Sequence, residues 1–324
     1  MMSLPDFRYK QVIVHVARGS GERLRFLADN IVLEDKEGKC ILRHSCHRLF
    51  ALFIVGEVTI TSVLIKQARR FDFPIILMSG NFRVITKLNS GAEGNTILRK
   101  KQYEISERTM QIAKKLIAQK ISNQMALIKS LRYRATEDLE CIEFLKSRSV
   151  SKAKDVHELM GVEGTASKAF FSCYFRNIGW TRREPRCKHD IPNLLLDIGY
   201  TYLFNFIEAM LCLYGFDVYC GVHHTLFNHR KSLVCDIIEP FRCIIDKRIR
   251  KLYSLRQINE KDFQFFNGSW MLPWKNQKKY ISLFLKDILF HKGDIFLFCR
   301  EYYRWFLRNK PIENFPVFNI AEVH

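Results

Sequence analysis

Residues 89–95 read NSGAEGN, and this glycine-rich stretch separates two kinds of sequence pattern. Before it, short alternating or β-branched runs are typical of strands. After it, apolar residues recur at the three- and four-residue spacing of helices. Chains in which strands come first and helices follow favour segregated domains over an alternating α/β sheet. The sequence therefore predicts an α+β fold, with a small N-terminal β-rich domain over residues 1–90 and a larger all-α domain over residues 91–324.

The N-terminal 90 residues are predicted to form a small sheet that carries one helix. Runs rich in β-branched and aromatic residues, bounded by turn residues, indicate the strands. These runs are Gln11–Val16, Arg23–Leu27, Asn30–Glu34, Leu49–Val55, Pro74–Met78 and Phe82–Thr86. A helix over Thr61–Phe71 is predicted to precede the fifth of these strands.

Helices dominate the predicted structure beyond the glycine-rich stretch. A long helix is predicted from Ser106 onward, because apolar residues between Met110 and Ile128 form one stripe along it. Four lysines lie off this stripe and are expected to face solvent or DNA phosphate: Lys114, Lys115, Lys120 and Lys129. The other predicted helices are Ala135–Lys146, Val162–Phe175, Ile191–Tyr214, a segment over Leu233–Leu255, Gln277–His291 and Asp294–Arg308.

The chain is strongly basic, with 52 lysines and arginines against 33 acids and a formal charge of +19. A folded protein with this excess usually meets a polyanion, and nucleic acid and anionic membrane are the main candidates. The most apolar stretch, Leu194–Val222, contains Asp197, Asn205, Glu208 and Asp217, a density of polar groups that a membrane span rarely tolerates. The sequence thus predicts a buried core helix there and no membrane partner.

Cysteine usage and the start of the chain indicate the cellular compartment. Ten cysteines are scattered along the sequence and none forms a C-x-x-C pair, which favours reduced thiols over a zinc ribbon or a redox dithiol. The first six residues are polar and contain a proline, so no signal peptide is predicted. A cytoplasmic location is expected.

Three segments place acids or histidines in apolar helical surroundings. Glu163 is predicted in the first turn of a helix, where the helix dipole alone favours a carboxylate, although its small neighbours would also allow DNA to approach. His223 and His224 follow a glycine-containing loop, and a structural role would explain either one. Asp236 and Glu239 are three residues apart, which predicts that both carboxylates lie on one helical face.

Paired carboxylates of this kind are typical of a cation site. Two like charges repel each other and persist best where a cation neutralises them. A solvated acidic face would also explain the pair, but Leu233, Val234 and Ile237 surround it with apolar side chains. Hard divalent ions prefer carboxylate oxygens, and an imidazole shifts the preference towards Mn²⁺. One histidine with two or three acids from separate helices would leave open positions for water and a phosphate oxygen.

The same segments, taken in order, resemble one known family. EGTASKAFF at residues 163–171, GVHH at 221–224 and SLVCDIIEPFR at 232–242 are similar to motifs of the CRISPR-associated protein one family, the integrase that inserts new spacers into a repeat array. The chain departs from the family pattern at Ser167, Phe170 and Val218, where alanine, tyrosine and proline are common. None of these departures removes a ligand of the family's metal.

The resemblance implies both a site and a reaction. It implies Glu163, His224 and Glu239 as ligands of Mg²⁺ or Mn²⁺, with Asp236 close by in a supporting role. It also implies a metal-dependent endonuclease and integrase that joins the 3′-OH ends of short spacer DNA to the repeat array. The implied partners are spacer-precursor and repeat DNA, a second copy of the chain in a homodimer joined through the β-rich domains, and the small second CRISPR-associated protein.

Two basic clusters are the predicted contacts with DNA. The first lies in TRREPRCKH and comprises Arg182, Arg183, Arg186 and Lys188. The second comprises Arg248, Arg250 and Lys251. Phosphate contacts of this kind hold DNA without reading its sequence. Ordinary solubility charge explains both clusters equally well.

Two other functions fit the same sequence. A non-catalytic nucleic-acid-binding scaffold would explain the charge, but it would not explain acids lodged among apolar helices. A transposon-borne integrase of the same fold would share the site, and the genes that flank the coding sequence would distinguish it.

Overall fold

Two units make up the chain in the computed structural model: unit 1 comprises residues 1–96 with 208–216, and unit 2 comprises residues 97–207 with 217–324. The structure describes all residues except 1–3, 18, 20, 80–83, 89–94, 105–107, 132–135, 148–149, 225–228 and 323–324. Most of the glycine-rich stretch therefore lies outside the described residues. The division falls a few residues after the predicted boundary, and a segment distant in sequence, 208–216, joins unit 1.

Two four-stranded sheets form unit 1. Its described strands are β1 Gln11–Val16, β2 Arg23–Leu27, β3 Asn30–Glu34, β4 Cys40–Ser45, β5 Leu49–Val55, β6 Thr59–Ile60, β7 Ile75–Met78 and β8 Val84–Leu88. The strand order is β1-β5-β7-β8 in one sheet and β4-β3-β2-β6 in the other. Its helices are α1 Leu4–Tyr9 and α2 Ser62–Arg70.

Strand β5 is the centre of the first sheet. It pairs in parallel with β1 on one side and with β7 on the other, and all seven residues of its LFALFIV sequence are buried. Parallel strands covered on both faces read as continuous apolar runs, which is why this stretch shows no alternation. Leu52 and Ile54 pack in one core with Leu64 and Ala68 of α2.

Most predicted strands have the observed bounds, and the differences have local causes. The strand predicted from Pro74 begins at Ile75, because proline has no N–H to donate to the ladder. The strand predicted from Phe82 is described only from Val84, since residues 80–83 lie outside the described part. Strand β4 was not predicted. Its side chains are exposed or half-buried and give no clean alternation.

Unit 2 is mostly helical. Its described helices are α3 Thr96–Tyr103, α4 Thr109–Lys129, α5 Thr136–Ser147, α6 Val156–Tyr174, α7 Ile191–Tyr214, α8 Ser232–Ile237, α9 Arg242–Ser254, α10 Trp274–Phe290 and α11 Lys292–Leu307. The starts predicted at Ser106 and Ala135 fall on residues outside the described part. Helix α7 crosses the division, since its last turns belong to unit 1.

Helix α4 lies at the centre of unit 2 and holds the turn that follows α8. The buried amide of Asn123 donates to the carbonyl oxygens of Pro240 at 2.9 Å and Phe318 at 3.1 Å. Its oxygen accepts the N–H of Ile320 at 3.0 Å. Because a buried amide must be paired, these bonds fix both the turn around Pro240 and the C-terminal segment against α4.

Unit 2 also contains a short β-hairpin. Strands β9 Gln264–Phe266 and β10 Ser269–Met271 are antiparallel and are joined by Asn267 and Gly268, whose φ angles are +47° and +75°. An Asn-Gly pair with positive φ at both residues is the preferred two-residue hairpin turn. The Asn-Gly pair in FFNGSW is therefore the local sequence signal for this hairpin.

Helix α6 begins six residues earlier than predicted. Asp155 accepts the backbone N–H of Glu158 at 2.9 Å, and Glu158 accepts that of Lys154 at 2.7 Å, so two side chains cap the helix start. Glu163 consequently lies two turns inside α6. The prediction that it occupies the first turn was wrong, and the helix dipole does not account for its charge.

The apolar helix α7 is a core element. It is the described helix that is long and apolar enough to cross a membrane, but 83% of its most apolar window is buried inside the protein. This agrees with the predicted core helix. The predicted order of a β-rich region followed by a mostly helical one is confirmed.

Candidate metal centre

A buried carboxylate, Asp236, holds the loop that carries the two histidines. Its Oδ2 accepts the backbone N–H groups of Val222 at 2.5 Å and His223 at 3.1 Å. Its Oδ1 accepts the backbone N–H of His224 at 3.0 Å and the ring Nδ1–H of His224 at 2.6 Å. Because this fully buried side chain accepts four hydrogen bonds, it fixes both the loop backbone and the orientation of the His224 ring.

Only glycine fits at the start of this loop. A Cβ atom on Gly221 would lie 2.6 Å from Ser232 Cβ and 2.7 Å from Asp236 Oδ2, closer than real side chains approach. The loop backbone therefore packs directly against α8. This close approach brings its N–H groups within reach of Asp236.

The two histidines have different partners. Nδ1 of His224 is bonded to Asp236, so Nε2 is the ring atom left to bind a ligand, and metal-binding histidines typically donate their other ring N–H to a carboxylate in this way. Nε2 of His223 lies 3.0 Å from Glu163 Oε2, while its Nδ1 is buried without a hydrogen-bond partner among the described residues. The geometry favours His224 as the ligand and leaves His223 to position Glu163.

Asp236 and Glu239 serve different neighbours. Helix α8 ends at Ile237, and a 3-10 turn over Glu239–Phe241, with Pro240 in its first positions, leads into α9. Asp236 bonds to the histidine loop, whereas Glu239 lies beside two cations. Both oxygens of Asp236 accept hydrogen bonds from the loop, an arrangement that suits the supporting role behind His224 that the family resemblance implies.

A buried lysine joins the two glutamates. Lys120 Nζ lies 2.5 Å from Glu163 Oε1 and 2.7 Å from Glu239 Oε2. Lys120 is 9% exposed and Glu239 is 3% exposed. The prediction that Lys120 belongs to a solvated face was therefore wrong. It follows Ile117 by three residues and precedes Gln124 by four, a spacing that places it on the buried face of α4.

An arginine supports Glu239 from the other side. Arg242 Nε donates to Glu239 Oε1 at 3.0 Å, and its guanidinium lies 4.5 Å from the centre of the Tyr200 ring. The Tyr200 hydroxyl donates to Asp246 Oδ1 at 2.5 Å. Burial raises the pKa of Asp246 to about 7. Neither Arg242 nor Tyr200 was predicted as part of the site.

The neighbouring cations keep both glutamates ionised. Burial alone would raise the pKa of Glu163, but the Lys120 ammonium and the bond from His223 lower it below its ordinary value. Burial opposes ionisation of Glu239 as well, whereas Arg242 and Lys120 lower its pKa. Both side chains are therefore carboxylates at neutral pH, the form in which they bind metal ions.

Glu163, His224 and Glu239 have the chemistry that Mg²⁺ or Mn²⁺ requires, with two carboxylates and one imidazole. Glu239 Oε2 is buried, and its partner among the described residues is the ammonium of Lys120, at 2.7 Å. Such an oxygen is suited to a cation. The three donor groups are not gathered around one point, since the described residues show donor atoms within 4.8 Å of one another only in a different group.

That other group is Glu184, Cys187 and His189, which lie in the same TRREPRCKH segment as the first basic cluster. Glu184 is already paired with Arg182 and His189, and both Cys187 and His189 are exposed. A thiol and an imidazole suit softer ions than Mg²⁺. The candidate centre for a hard divalent ion is therefore the one built on Glu163, His224 and Glu239.

The first basic cluster is divided by the structure. Arg183 is mostly buried and donates to the side chains of Asn193 and Asp197 on α7, so it anchors its own loop. These bonds leave its guanidinium less free for a phosphate, and its role in DNA binding stays a prediction. Arg186 is exposed and Lys188 is half-buried, so the structure leaves both available to a phosphate; Arg182 is exposed as well but is paired with Glu184.

The second basic cluster contributes little free charge. Arg248 is 8% exposed and is paired through two nitrogens with Asp287. Arg250 Nη1 donates to the carbonyl oxygen of Arg176 at 2.8 Å. Internal bonds thus occupy Arg248 and Arg250, and their DNA contacts stay predictions. Lys251 is exposed and is the member of the cluster that remains available.

Comparison with known proteins places these features in one family. The sequence profile of the family described as "CRISPR associated protein Cas1" matches residues 16–286. The CRISPR-associated endonuclease Cas1 1 of Thermodesulfovibrio yellowstonii is 29% identical over 247 residues, which are 71% of this chain and 77% of that protein.

Solved structures show the same fold. A Cas1 protein from Thermotoga maritima has a TM-score of 0.79 at 21% identity, over 96% of this chain and 100% of its own. A casposase bound to integration product has a TM-score of 0.78 at 19% identity, over 96% of this chain and 93% of its own. Since the family profile covers most of the sequence and the fold agrees throughout, the chain belongs to the Cas1 family of CRISPR-associated proteins.

Proposed function

We propose that the chain is a divalent-metal-dependent DNA integrase and endonuclease of CRISPR adaptation, which joins the 3′-OH ends of short spacer DNA to the repeat array. The observation that carries the proposal is the set of two ionised glutamates and a carboxylate-held histidine, which come from three separate segments of a strongly basic chain. A protein that only binds DNA has no need of acids buried at this cost.

Strand joining exchanges one phosphodiester for another, so it needs no external energy source. The attacking 3′ oxygen forms a bond to phosphorus in the array, and the bond from that phosphorus to its own 3′ oxygen breaks. The proton of the attacking hydroxyl passes to solvent, and the leaving oxygen takes one up. A bound Mg²⁺ or Mn²⁺ supplies positive charge to the phosphoryl oxygens while the bonds change.

The side chains of the centre would hold that ion and leave room for DNA. Glu163 and Glu239 would supply carboxylate oxygens, and His224 would supply Nε2 while Asp236 keeps its ring in place. Small residues flank Glu163, and space is open beyond the Cα atoms of Gly161 and Gly164. Among the described residues, a phosphate can therefore approach the backbone of α6 at Gly161 and Gly164, close in sequence to Glu163.

The attacking group provides the test of this proposal. A short duplex with 3′-OH ends should be joined to repeat DNA in Mg²⁺ or Mn²⁺, whereas the same duplex with 3′-deoxy ends should give no product. Chelation of the metal should abolish joining of the duplex with 3′-OH ends. Binding of both duplexes without product in either metal would favour the scaffold alternative.

The transposon-borne alternative shares the fold, as the likeness to a casposase indicates. The match of the Cas1 family profile and of curated CRISPR-associated relatives favours the CRISPR reaction. A repeat array beside the gene would support this choice.

Reversing charge on exposed arginines of the first basic cluster should weaken DNA binding. Arg182→Glu with Arg186→Glu should lower affinity for unrelated duplexes about equally. The dependence of affinity on salt should also become shallower by roughly one unit for each lost phosphate contact. Arg308→Glu, an exposed change outside both clusters, is the matched control. An unchanged salt slope in the double variant would remove this cluster from the DNA surface.

We further propose that the chain works as a homodimer in the cytoplasm, together with the small second CRISPR-associated protein. Insertion of a spacer needs a cut on each strand, at opposite ends of the repeat, and the described residues of one chain offer one candidate centre for a hard divalent ion. A single chain cannot serve both ends at once, so at least two copies are required. The β-rich unit is the proposed joint, as the family resemblance implies.

A further inference from the structure

Lys120 occupies the point where the two candidate carboxylate ligands meet. Its ammonium lies between Glu163 Oε1 and Glu239 Oε2, at 2.5 Å and 2.7 Å. It comes from the middle of α4, which is held to the turn after α8 by the buried amide of Asn123. A lysine so deeply buried is unusual unless it is paired, and here both of its partners are residues of the proposed centre.

From this position we infer that Lys120 is a built-in counter-cation: it holds Glu163 and Glu239 in place in the metal-free protein and must withdraw before both can bind one divalent ion. The inference rests on the proposed function. Lys120 is thus a positioning residue whose charge competes with the metal.

The charges of the cluster support this role. Glu163 and Glu239 are balanced by Lys120 and Arg242, so the group is neutral when no metal is bound. A divalent ion added to this group would leave an excess of two positive charges. Without Lys120 the group would carry one net negative charge, which attracts a divalent cation.

Space supports the same conclusion. Ligand oxygens lie about 2.1 Å from Mg²⁺, so two carboxylates that share the ion must close around one point. The ammonium lies between these oxygens, at contact distance from both. Lys120 has a four-carbon stem and can swing away as a unit, whereas Arg242 is bonded to Glu239 and stacked on Tyr200.

Replacing Lys120 by a neutral side chain should strengthen metal binding. Lys120→Met keeps the length and apolar character of the stem, and it should bind Mn²⁺ about tenfold or more tightly than the unchanged protein, as measured by the electron paramagnetic resonance signal of free Mn²⁺. Lys120→Arg keeps the charge and should bind no more tightly than the unchanged protein. Lys129→Met, an exposed lysine on the same helix, is the matched control.

Thermal unfolding supplies a second readout. In chelator the Lys120→Met variant should melt at a lower temperature than the unchanged protein, because two buried carboxylates lose a counter-charge. Saturating Mn²⁺ should raise its melting temperature by more than it raises that of the unchanged protein. If Lys120→Met is unfolded in chelator but folds in Mn²⁺, the inference is supported.

Different failures have different meanings. Equal or weaker Mn²⁺ binding by folded Lys120→Met and Lys120→Gln would overturn the inference. So would variants that stay unfolded in saturating Mn²⁺, since the metal would then not replace the ammonium. If Glu163→Gln and Glu239→Gln leave Mn²⁺ binding of the otherwise unchanged protein unaltered, the proposed metal centre itself fails.

Discussion

Glu163→Gln, His224→Ala and Glu239→Gln should each lower strand joining by about a thousandfold or more, because each removes a ligand of the ion that stabilises the phosphoryl charge. Glutamine is the sharper change at the two acids. It keeps the side-chain shape and leaves a polar neighbour for Lys120 and Arg242, whereas alanine at 239 would strand two cations and threaten folding. Joining rates and circular-dichroism melting curves, measured on the same preparations, separate loss of chemistry from loss of fold.

His223→Ala is the matched control for the histidine. His223 adjoins His224, but its Nε2 is bonded to Glu163 and its ring is not held by Asp236. We expect His223→Ala to lower joining far less than His224→Ala. If His223 were essential and His224 dispensable, His223 would be the metal ligand. That result would contradict the inference that the bond from Asp236 prepares His224 to bind the ion.

The fold was predictable wherever one local pattern decided the structure. Strand β5 reads as an apolar run because it is covered on both faces, and helix α7 reads as a long apolar helix because it is a core element. The early start of α6 and the β9–β10 hairpin also had local signals, in the capping pair Asp155 and Glu158 and in the Asn-Gly turn. Strand β4 had no such local signal. Its side chains are exposed or half-buried, and it forms a strand because it pairs with β3.

The site was predictable as a set of residues but not as an arrangement. The motifs around Glu163, His224 and Glu239 pointed to the family, and the structure brings these segments together. What the sequence could not show is which group lies between them. Lys120 is more than 40 residues from Glu163 and more than 100 from Glu239, so only the packing of α4 against α6 and the turn after α8 creates the contact. The ion pairs of Arg183 and Arg248 were not predictable for the same reason, since their acidic partners lie on other elements.

Asp236 is the residue whose expected effect the structure changes most. Its supporting role predicts a mild loss of joining on substitution, but four hydrogen bonds from the histidine loop end on this one buried carboxylate. In Asp236→Asn an amide NH₂ would replace one of the two oxygens and would face N–H donors that it cannot accept. A buried donor left without an acceptor costs about 1–3 kcal/mol, and two N–H groups meet each oxygen of Asp236.

We therefore expect Asp236→Asn to lower the free energy of unfolding by about 3 kcal/mol or more, and to reduce joining nearly as far as His224→Ala, because the His224 ring loses the bond that orients it.

Asp246→Asn is the matched control. Asp246 is as deeply buried, but it accepts a single described side-chain bond, from Tyr200, and its pKa of about 7 means that its neutral form is already substantially populated near neutral pH. Asparagine can accept that bond, so this variant should stay close to the unchanged protein in stability at neutral pH. Urea unfolding and joining rates on the two variants decide the matter. Equal stability of Asp236→Asn and Asp246→Asn would show that the loop does not depend on Asp236. His224 would then need another source of orientation.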